Sequence, residues 1–99
     1  MWYFILKVSP KPNTQLATEA GGAYVNCWID FREQSGAEHL AKFYLNQEGW
    51  QYEETQEATW VEKQDYEDDP EGTEHFSEAE TNSACFVVNQ WGANGEEDE

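Results

Sequence analysis

Three runs of apolar and β-branched residues constrain the fold of this chain more than any other feature of its sequence. Residues 2–8 (WYFILKV) and 84–91 (ACFVVNQW) are apolar segments of the length of a buried strand. Residues 23–31 (AYVNCWIDF) alternate, so that one set of side chains faces a core and the other set faces away from it. Residues 50–57 predict a weaker fourth strand, which its polar residues place at an edge. The sequence therefore predicts a four-stranded sheet.

Two helices are predicted between these strands. Residues 35–38 (SGAE) fit a capping box, so a helix is expected over residues 36–48, with Gly49 as the left-handed residue that ends it. Pro70 suits the first position of a second, shorter helix. Residues 58–66 are compatible with an extension of the third strand or with a short helical turn.

The order β-β-α-β-α-β predicts an α+β fold, a two-layer sandwich in which both helices cover one face of the sheet. The nearest common arrangement is ferredoxin-like, with a connecting loop at residues 9–22 in place of the helix expected after the first strand. We expect residues 1–91 to form one domain and residues 92–99 to form a disordered acidic tail.

Charge is distributed unevenly along the 99 residues. The formal net charge is −16: residues 1–50 hold 5 acidic and 4 basic residues, and residues 51–99 hold 16 acidic residues with Lys63 as their one base. Such a field repels nucleic acids and anionic membranes and attracts basic surfaces. Residues 2–6 are too short for a signal-peptide core or a membrane span, so a cytoplasmic location is expected.

No sequence pattern supports catalysis. The chain has neither a Gly-x-Ser-x-Gly elbow nor a phosphate-binding glycine loop. Cys27 and Cys85 lie in strand-like runs, where apolar surroundings raise the pKa of a thiol and make it a poor nucleophile. The sequence therefore predicts a protein that is not an enzyme and needs no cofactor.

Residues 67–78 resemble a calcium-binding loop in their spacing. Carboxylates stand at the first, third, fifth and twelfth positions and a glycine stands at the sixth, although Pro70 stiffens the segment. His75 lies at helical spacing from two of these glutamates and could contribute to a zinc site. An alternative function is therefore divalent-metal binding. The candidate ligands are Glu67, Asp69, Glu71, His75 and Glu78.

Aromatic residues near the acidic half indicate a docking surface. With helices on one face of the sheet, Tyr24 and Trp28 are expected to be exposed on the other face, and Trp60 flanks a strand end. Exposed aromatic residues rimmed by charge mark interaction surfaces. The competing interpretation is that these rings pack on each other or in a homodimer.

The leading hypothesis is a non-enzymatic acidic protein that docks a basic protein surface, as an inhibitor, an immunity protein or a nucleic-acid mimic. A domain with no ligand of its own is a further alternative. The predicted contact residues are Tyr24, Trp28, Trp60, Glu67, Asp68, Asp69, Glu71 and Glu74.

Three segments carry a resemblance to known proteins. The runs GGAYVNCWIDF, LNQEGW and FVVNQW resemble segments of small uncharacterised bacterial proteins of about this length. The resemblance covers most of the chain. It implies a bacterial, cytoplasmic protein and implies no activity and no site residues.

Overall fold

The computed structural model describes residues 1–92 and has the predicted α+β class. The elements in chain order are β1 (Trp2–Pro10), α1 (Gln15–Glu19), β2 (Ala20–Ile29), α2 (Gln34–Gln47), β3 (Trp50–Trp60), a 3₁₀ turn (Lys63–Tyr66), α3 (Pro70–Asn82) and β4 (Ala84–Gly92). The predicted acidic tail lies outside the described residues, apart from Gly92, which ends β4.

The four strands form one open antiparallel sheet in the order β3-β1-β2-β4. Phe4 on β1 pairs with Cys27 on β2 and with Ala58 on β3, and Cys27 pairs in turn with Phe86 on β4. Because β2 and β3 both run antiparallel to β1, α2 connects two strands that are parallel to each other with β1 between them. The ferredoxin-like arrangement is not confirmed, since β1 is followed by its antiparallel neighbour β2.

One face of the sheet, called here the α2 face, holds the larger core. Side chains that alternate along β1 and β2 are fully buried there, among them Phe4, Leu6 and Cys27. α2 covers this face with Ala37 and Ala41, whose small side chains let the helix approach the sheet closely. Burial of this apolar surface, worth roughly 25 cal/mol per Å² removed from water, drives the packing.

The opposite face, called the α3 face, holds a second and separate core. Trp28 from β2 and Cys85 from β4 are buried there beneath Phe76 and Ala79 of α3. The prediction that both helices cover one face is therefore wrong. β2 and β4 carry apolar side chains on both sides, so each side requires its own cover.

The predicted cap of α2 is also wrong in detail. Glu33 is the N-cap and makes no side-chain capping bond, while the Ser35 hydroxyl donates to the Glu33 carboxylate at 3.1 Å. Glu38 instead pairs with Lys42 at 3.5 Å, one turn further along the helix. The other end of α2 follows the prediction, because Gly49 has a φ of 95°.

Helical structure occurs in two segments for which the sequence predicted either a loop or two alternative conformations. The predicted loop at 9–22 contains α1, whose cap Thr14 accepts from the backbone N–H of Ala17 at 3.3 Å. The undecided segment 58–66 completes β3 and then forms the 3₁₀ turn. Glu62 and Asp65 cap that turn reciprocally, with the Asp65 carboxylate accepting from the Glu62 backbone N–H at 2.8 Å.

Strand β3 is an exposed edge that carries negative charge. Glu53, Glu54 and Glu57 are all exposed, and two register shifts interrupt the pairing of β3 with β1. The Ser9 hydroxyl donates to Glu53 at 2.7 Å, and this hydrogen bond lowers the pKa of the Glu53 carboxyl. Charges and irregularities on an edge strand oppose pairing with the edge of a second molecule.

Replacing Glu53, Glu54 and Glu57 together by glutamine is expected to promote self-association. An uncharged edge would offer the unpaired backbone groups of β3 to a second chain. Sedimentation velocity over a range of protein concentrations would show a larger sedimentation coefficient for the variant than for the wild type.

A matched control removes the same number of charges away from the edge, by changing Glu67, Glu71 and Glu74 to glutamine. This control is expected to sediment like the wild type. Equal self-association of both triple variants would mean that net charge, and not edge charge, keeps the chains apart.

Candidate functional site

A groove on the α3 face lies between the start of α3 and strands β1, β2 and β4. It has a volume of about 390 Å³, near the lower limit of the roughly 300–1,000 Å³ typical of ligand pockets. The sheet supplies aromatic and amide side chains, and α3 supplies carboxylates. The residues that matter for its chemistry are Tyr3, Asn26, Trp28, Tyr66, Glu71 and Asn89.

Hydrogen bonds across three strands fix the polar floor of this groove. The Asn26 amide donates to the Tyr3 hydroxyl oxygen at 2.6 Å, and the Asn89 amide donates to the Asn26 side-chain oxygen at 2.9 Å. Burial raises the pKa of Tyr3, and the hydrogen bond from Asn26 opposes that rise. The hydroxyl therefore keeps its proton at neutral pH, and the floor presents uncharged groups in fixed positions.

Trp28 forms the apolar wall. The residue is only 6% exposed, and its indole stacks on the His75 ring at 4.8 Å between centroids and donates from Nε1 to the Tyr66 hydroxyl at 3.0 Å. Tyr66 can approach because Gly72 has no side chain: a Cβ there would lie 2.3 Å from the Tyr66 ring. Gly72 therefore allows Tyr66 to pack against α3, although glycine has a low helix propensity.

Two carboxylates at the start of α3, those of Asp69 and Glu71, line the groove. Asp69 caps α3 by accepting from the Gly72 backbone N–H at 3.1 Å, and Glu71 in the first turn is exposed. Residues 62–80 contain nine acidic residues, and their one base, Lys63, pairs with Glu80 at 3.6 Å. The layer formed by the 3₁₀ turn and α3 therefore carries a large net negative charge, and Asp69 and Glu71 are the carboxylates of this layer that line the groove. Glu67, Asp68 and Glu74, predicted as contacts, are exposed in this layer.

The predicted aromatic anchors do not all lie together. Tyr24 is 40% exposed on the α3 face and packs against Trp91 at 5.2 Å, an arrangement that Gly22 permits by leaving room for the Trp91 ring. Trp28 is buried instead of exposed, because α3 covers it. Trp60 lies on the α2 face, where its ring meets the edge of Trp2 at 5.6 Å. Tyr24 and Trp28 thus share a face with the acidic layer, and Trp60 does not.

A cluster of three side chains that could bind a metal ion lies between α3 and the start of β4, and one of them, His75, lines the groove. The Cys85 thiol donates to the Glu78 carboxylate at 2.8 Å and lies 3.7 Å from His75 Nδ1. Their potential ligand atoms lie within 4.8 Å of one another. Cys85 is buried, His75 is half-buried and Glu78 is exposed.

The Cys85 thiol is protonated in this environment. Burial raises the pKa of Cys85 to about 12, with the hydrogen bond to the Glu78 carboxylate acting in the same direction. A protonated, buried thiol is a poor nucleophile. The cluster is therefore unsuited to nucleophilic catalysis, although its three side chains are of the types that bind transition metals.

The predicted metal ligands are only partly brought together. His75 and Glu78 belong to the cluster, whereas Glu67, Asp69 and Glu71 do not. α3 begins at Pro70, so most of the segment that resembled a calcium-binding loop is helical and cannot wrap around an ion.

Sequence reasoning missed Cys85 as a partner of His75 and Glu78, because its apolar run indicated only a buried strand. The signal that could have found it is the short connection between α3 and β4. Ser83, with a φ of 74°, reverses the chain there and brings the start of β4 back along the last turns of α3.

Comparisons with protein-family models, with curated proteins and with solved structures find no match to this chain. Among the described residues, no helix has the length and apolar character needed to cross a membrane.

Changing Gly72 to alanine is expected to destabilise the protein. Helix propensity alone would favour alanine by about 1 kcal/mol. The added methyl group, however, would press on the Tyr66 ring, and such overpacking costs about 1–3 kcal/mol. Urea unfolding followed by tryptophan fluorescence measures the difference.

The matched control is Ser77→Ala in the same helix, which is expected to change the free energy of unfolding by less than about 0.5 kcal/mol. A Gly72→Ala variant more stable than the wild type would show that Tyr66 does not pack against α3 at this position.

Proposed function

We propose that this protein is a non-enzymatic binding protein that docks a basic protein surface at the groove on its α3 face. The observation that carries the proposal is the convergence of carboxylates and aromatic rings at one groove. An arginine side chain is recognised by these two groups together, because its guanidinium stacks on aromatic rings and pairs with carboxylates.

The arrangement of the groove favours a single cationic side chain as the inserted group. Tyr3 and Tyr66, which line the groove and are half-buried, provide aromatic surface, and Glu71 provides a carboxylate at the mouth. The side-chain carbonyl of Asn89 adds a hydrogen-bond acceptor, since its amide nitrogen already donates to Asn26. The volume of about 390 Å³ is at the small end of the range for ligands and fits one long side chain.

The wider charge distribution supports a basic partner. The acidic segment 62–80 lies in the layer that borders the groove, and Glu57 on β3 pairs opposite Ile5 on the same face of the sheet. A field of this sign accelerates the encounter with a basic surface and weakens as salt screens it. A basic toxin, a basic enzyme or a nucleic-acid-binding protein has the required surface. The protein could therefore act as an immunity protein, an enzyme inhibitor or a nucleic-acid mimic through the same groove.

The state of Cys85 supports a binding role over catalysis. The Cys85 thiol is a potential nucleophile beside the groove. Burial and the Glu78 carboxylate both raise its pKa, so the thiol stays protonated. The neighbouring His75 stacks on Trp28, which fixes its ring and limits its movement toward a substrate.

A charge reversal at Glu71 is expected to weaken binding of an oligoarginine peptide about tenfold, which corresponds to about 1.4 kcal/mol. The reason is that Glu71→Lys places a like charge at the mouth of the groove. Titration at low ionic strength, followed by tryptophan fluorescence and calorimetry, measures the affinity. Binding of the wild type should weaken as salt is added.

The matched control is Glu48→Lys at the exposed end of α2, which makes the same change in net charge away from the α3 face. When the variants are compared in about 0.1 M salt, this control is expected to change the affinity by less than about twofold, because charges beyond about 10 Å are largely screened there. If both variants lower the affinity equally, the peptide responds to the net charge of the protein and does not bind specifically at the groove. Absence of binding to the wild type at low salt would remove the proposal.

A further inference from the structure

We infer that His75, Glu78 and Cys85 form a binding site for a divalent transition metal ion, with Zn²⁺ as the ion that the donor set fits. The site lies between α3 and the start of β4, and its residue His75 also lines the groove. Two of its residues come from α3 at a spacing of three, and the third comes from the start of β4. It differs from the calcium-like interpretation of the sequence by relying on a sulfur ligand.

The two distances from the Cys85 sulfur are close to those of a tetrahedral site, and all three donor atoms lie within 4.8 Å of one another. With metal–sulfur and metal–nitrogen bonds of about 2.3 and 2.0 Å, two ligand atoms of one tetrahedron lie about 3.5 Å apart. Cys85 Sγ and His75 Nδ1 are 3.7 Å apart without any rearrangement. The Glu78 carboxylate is 2.8 Å from the sulfur and needs to move outward by less than 1 Å, which an exposed side chain can do.

The combination of thiolate, imidazole and carboxylate decides which ions bind. Sulfur and imidazole ligands favour Zn²⁺ and similar ions over Ca²⁺ and Mg²⁺, which require oxygen ligands. Three protein ligands leave one coordination position for water or for a ligand group, as in zinc sites that keep an open position. On binding, the metal–sulfur bond replaces the S–H bond, and the thiol proton passes to solvent.

The surroundings favour cation binding in two ways. The nine carboxylates of residues 62–80 give the α3 layer a negative potential that concentrates cations. The stack of His75 on Trp28 holds the imidazole ring in place, so the ring loses little conformational freedom when a metal ion binds. Because Trp28 also lines the groove, metal binding should alter its fluorescence.

Cobalt titration of the reduced protein tests the inference directly. Co²⁺ bound by a thiolate produces a sulfur-to-cobalt charge-transfer band in the near ultraviolet, which we expect to saturate at one ion per chain and to disappear when Zn²⁺ is added. Cys85→Ser is expected to abolish the band. His75→Ala is expected to weaken binding by more than about tenfold while leaving the sulfur in place.

The controls change similar residues elsewhere. His39→Ala, in the exposed part of α2, and Glu80→Gln, in the same helix as the site, are expected to bind like the wild type, and circular dichroism checks that every variant is folded. The absence of a charge-transfer band in the wild type would overturn the inference. Persistence of the band in Cys85→Ser would also overturn it. Displacement of Co²⁺ by an equal concentration of Ca²⁺ would also overturn the inference, because it would mean that only carboxylates bind the ion.

Discussion

Burial of the Trp28 indole is the interaction on which the α3 layer depends. The ring is covered by His75 on one side, meets Tyr3 at 5.0 Å and donates to the hydroxyl of Tyr66. One side chain of β2 is therefore tied both to the 3₁₀ turn and to α3. A helix of 13 residues is marginal in water by itself, and the carboxylates around α3 repel one another. Contact with the sheet at Trp28 is what allows this acidic segment to fold.

The two faces of the sheet consequently differ in character. The α2 face is a conventional core, with Phe4, Leu6 and Cys27 fully buried beneath small side chains of α2. The α3 face is covered at one end only, because α3 packs beside β2 and β4. The uncovered part keeps the polar floor of Asn26 and Asn89 accessible, and the acidic layer borders it. The groove and the metal-ligating cluster are thus both consequences of placing α3 on its own face.

The sequence predicts the elements better than it predicts their arrangement. The strands, the end of α2 at Gly49 and the start of α3 at Pro70 follow from local patterns, since turn residues and apolar periods act over a few positions. Alternation along β2 indicates which side chains share a face. It cannot indicate that Trp28 on the second face is covered by a helix far along the chain. The error about helix placement, and the expectation that Trp28 is exposed, have this single cause.

The site was predictable to the extent that its residues are close in sequence. His75 and Glu78 lie three positions apart on one helix, so their proximity follows from helical geometry. Cys85 joins them only through the reversal at Ser83, and its apolar neighbours gave no indication of a ligand. The packing role of Gly72 depends on Tyr66, which approaches from outside α3, so the residues around Gly72 in the sequence do not indicate it. Residues whose function lies in a tertiary contact are those that a single sequence does not reveal.

Nuclear Overhauser spectroscopy of the folded protein is the most direct measurement of this arrangement. The Trp28 indole N–H should show contacts to the Tyr66 ring, and the Phe76 ring should show contacts to Cys85 and none to α2. Contacts between Phe76 and Leu45 of α2, together with rapid solvent exchange of the Trp28 indole proton, would place both helices on one face. That result would contradict the existence of the groove and of the cluster beneath α3.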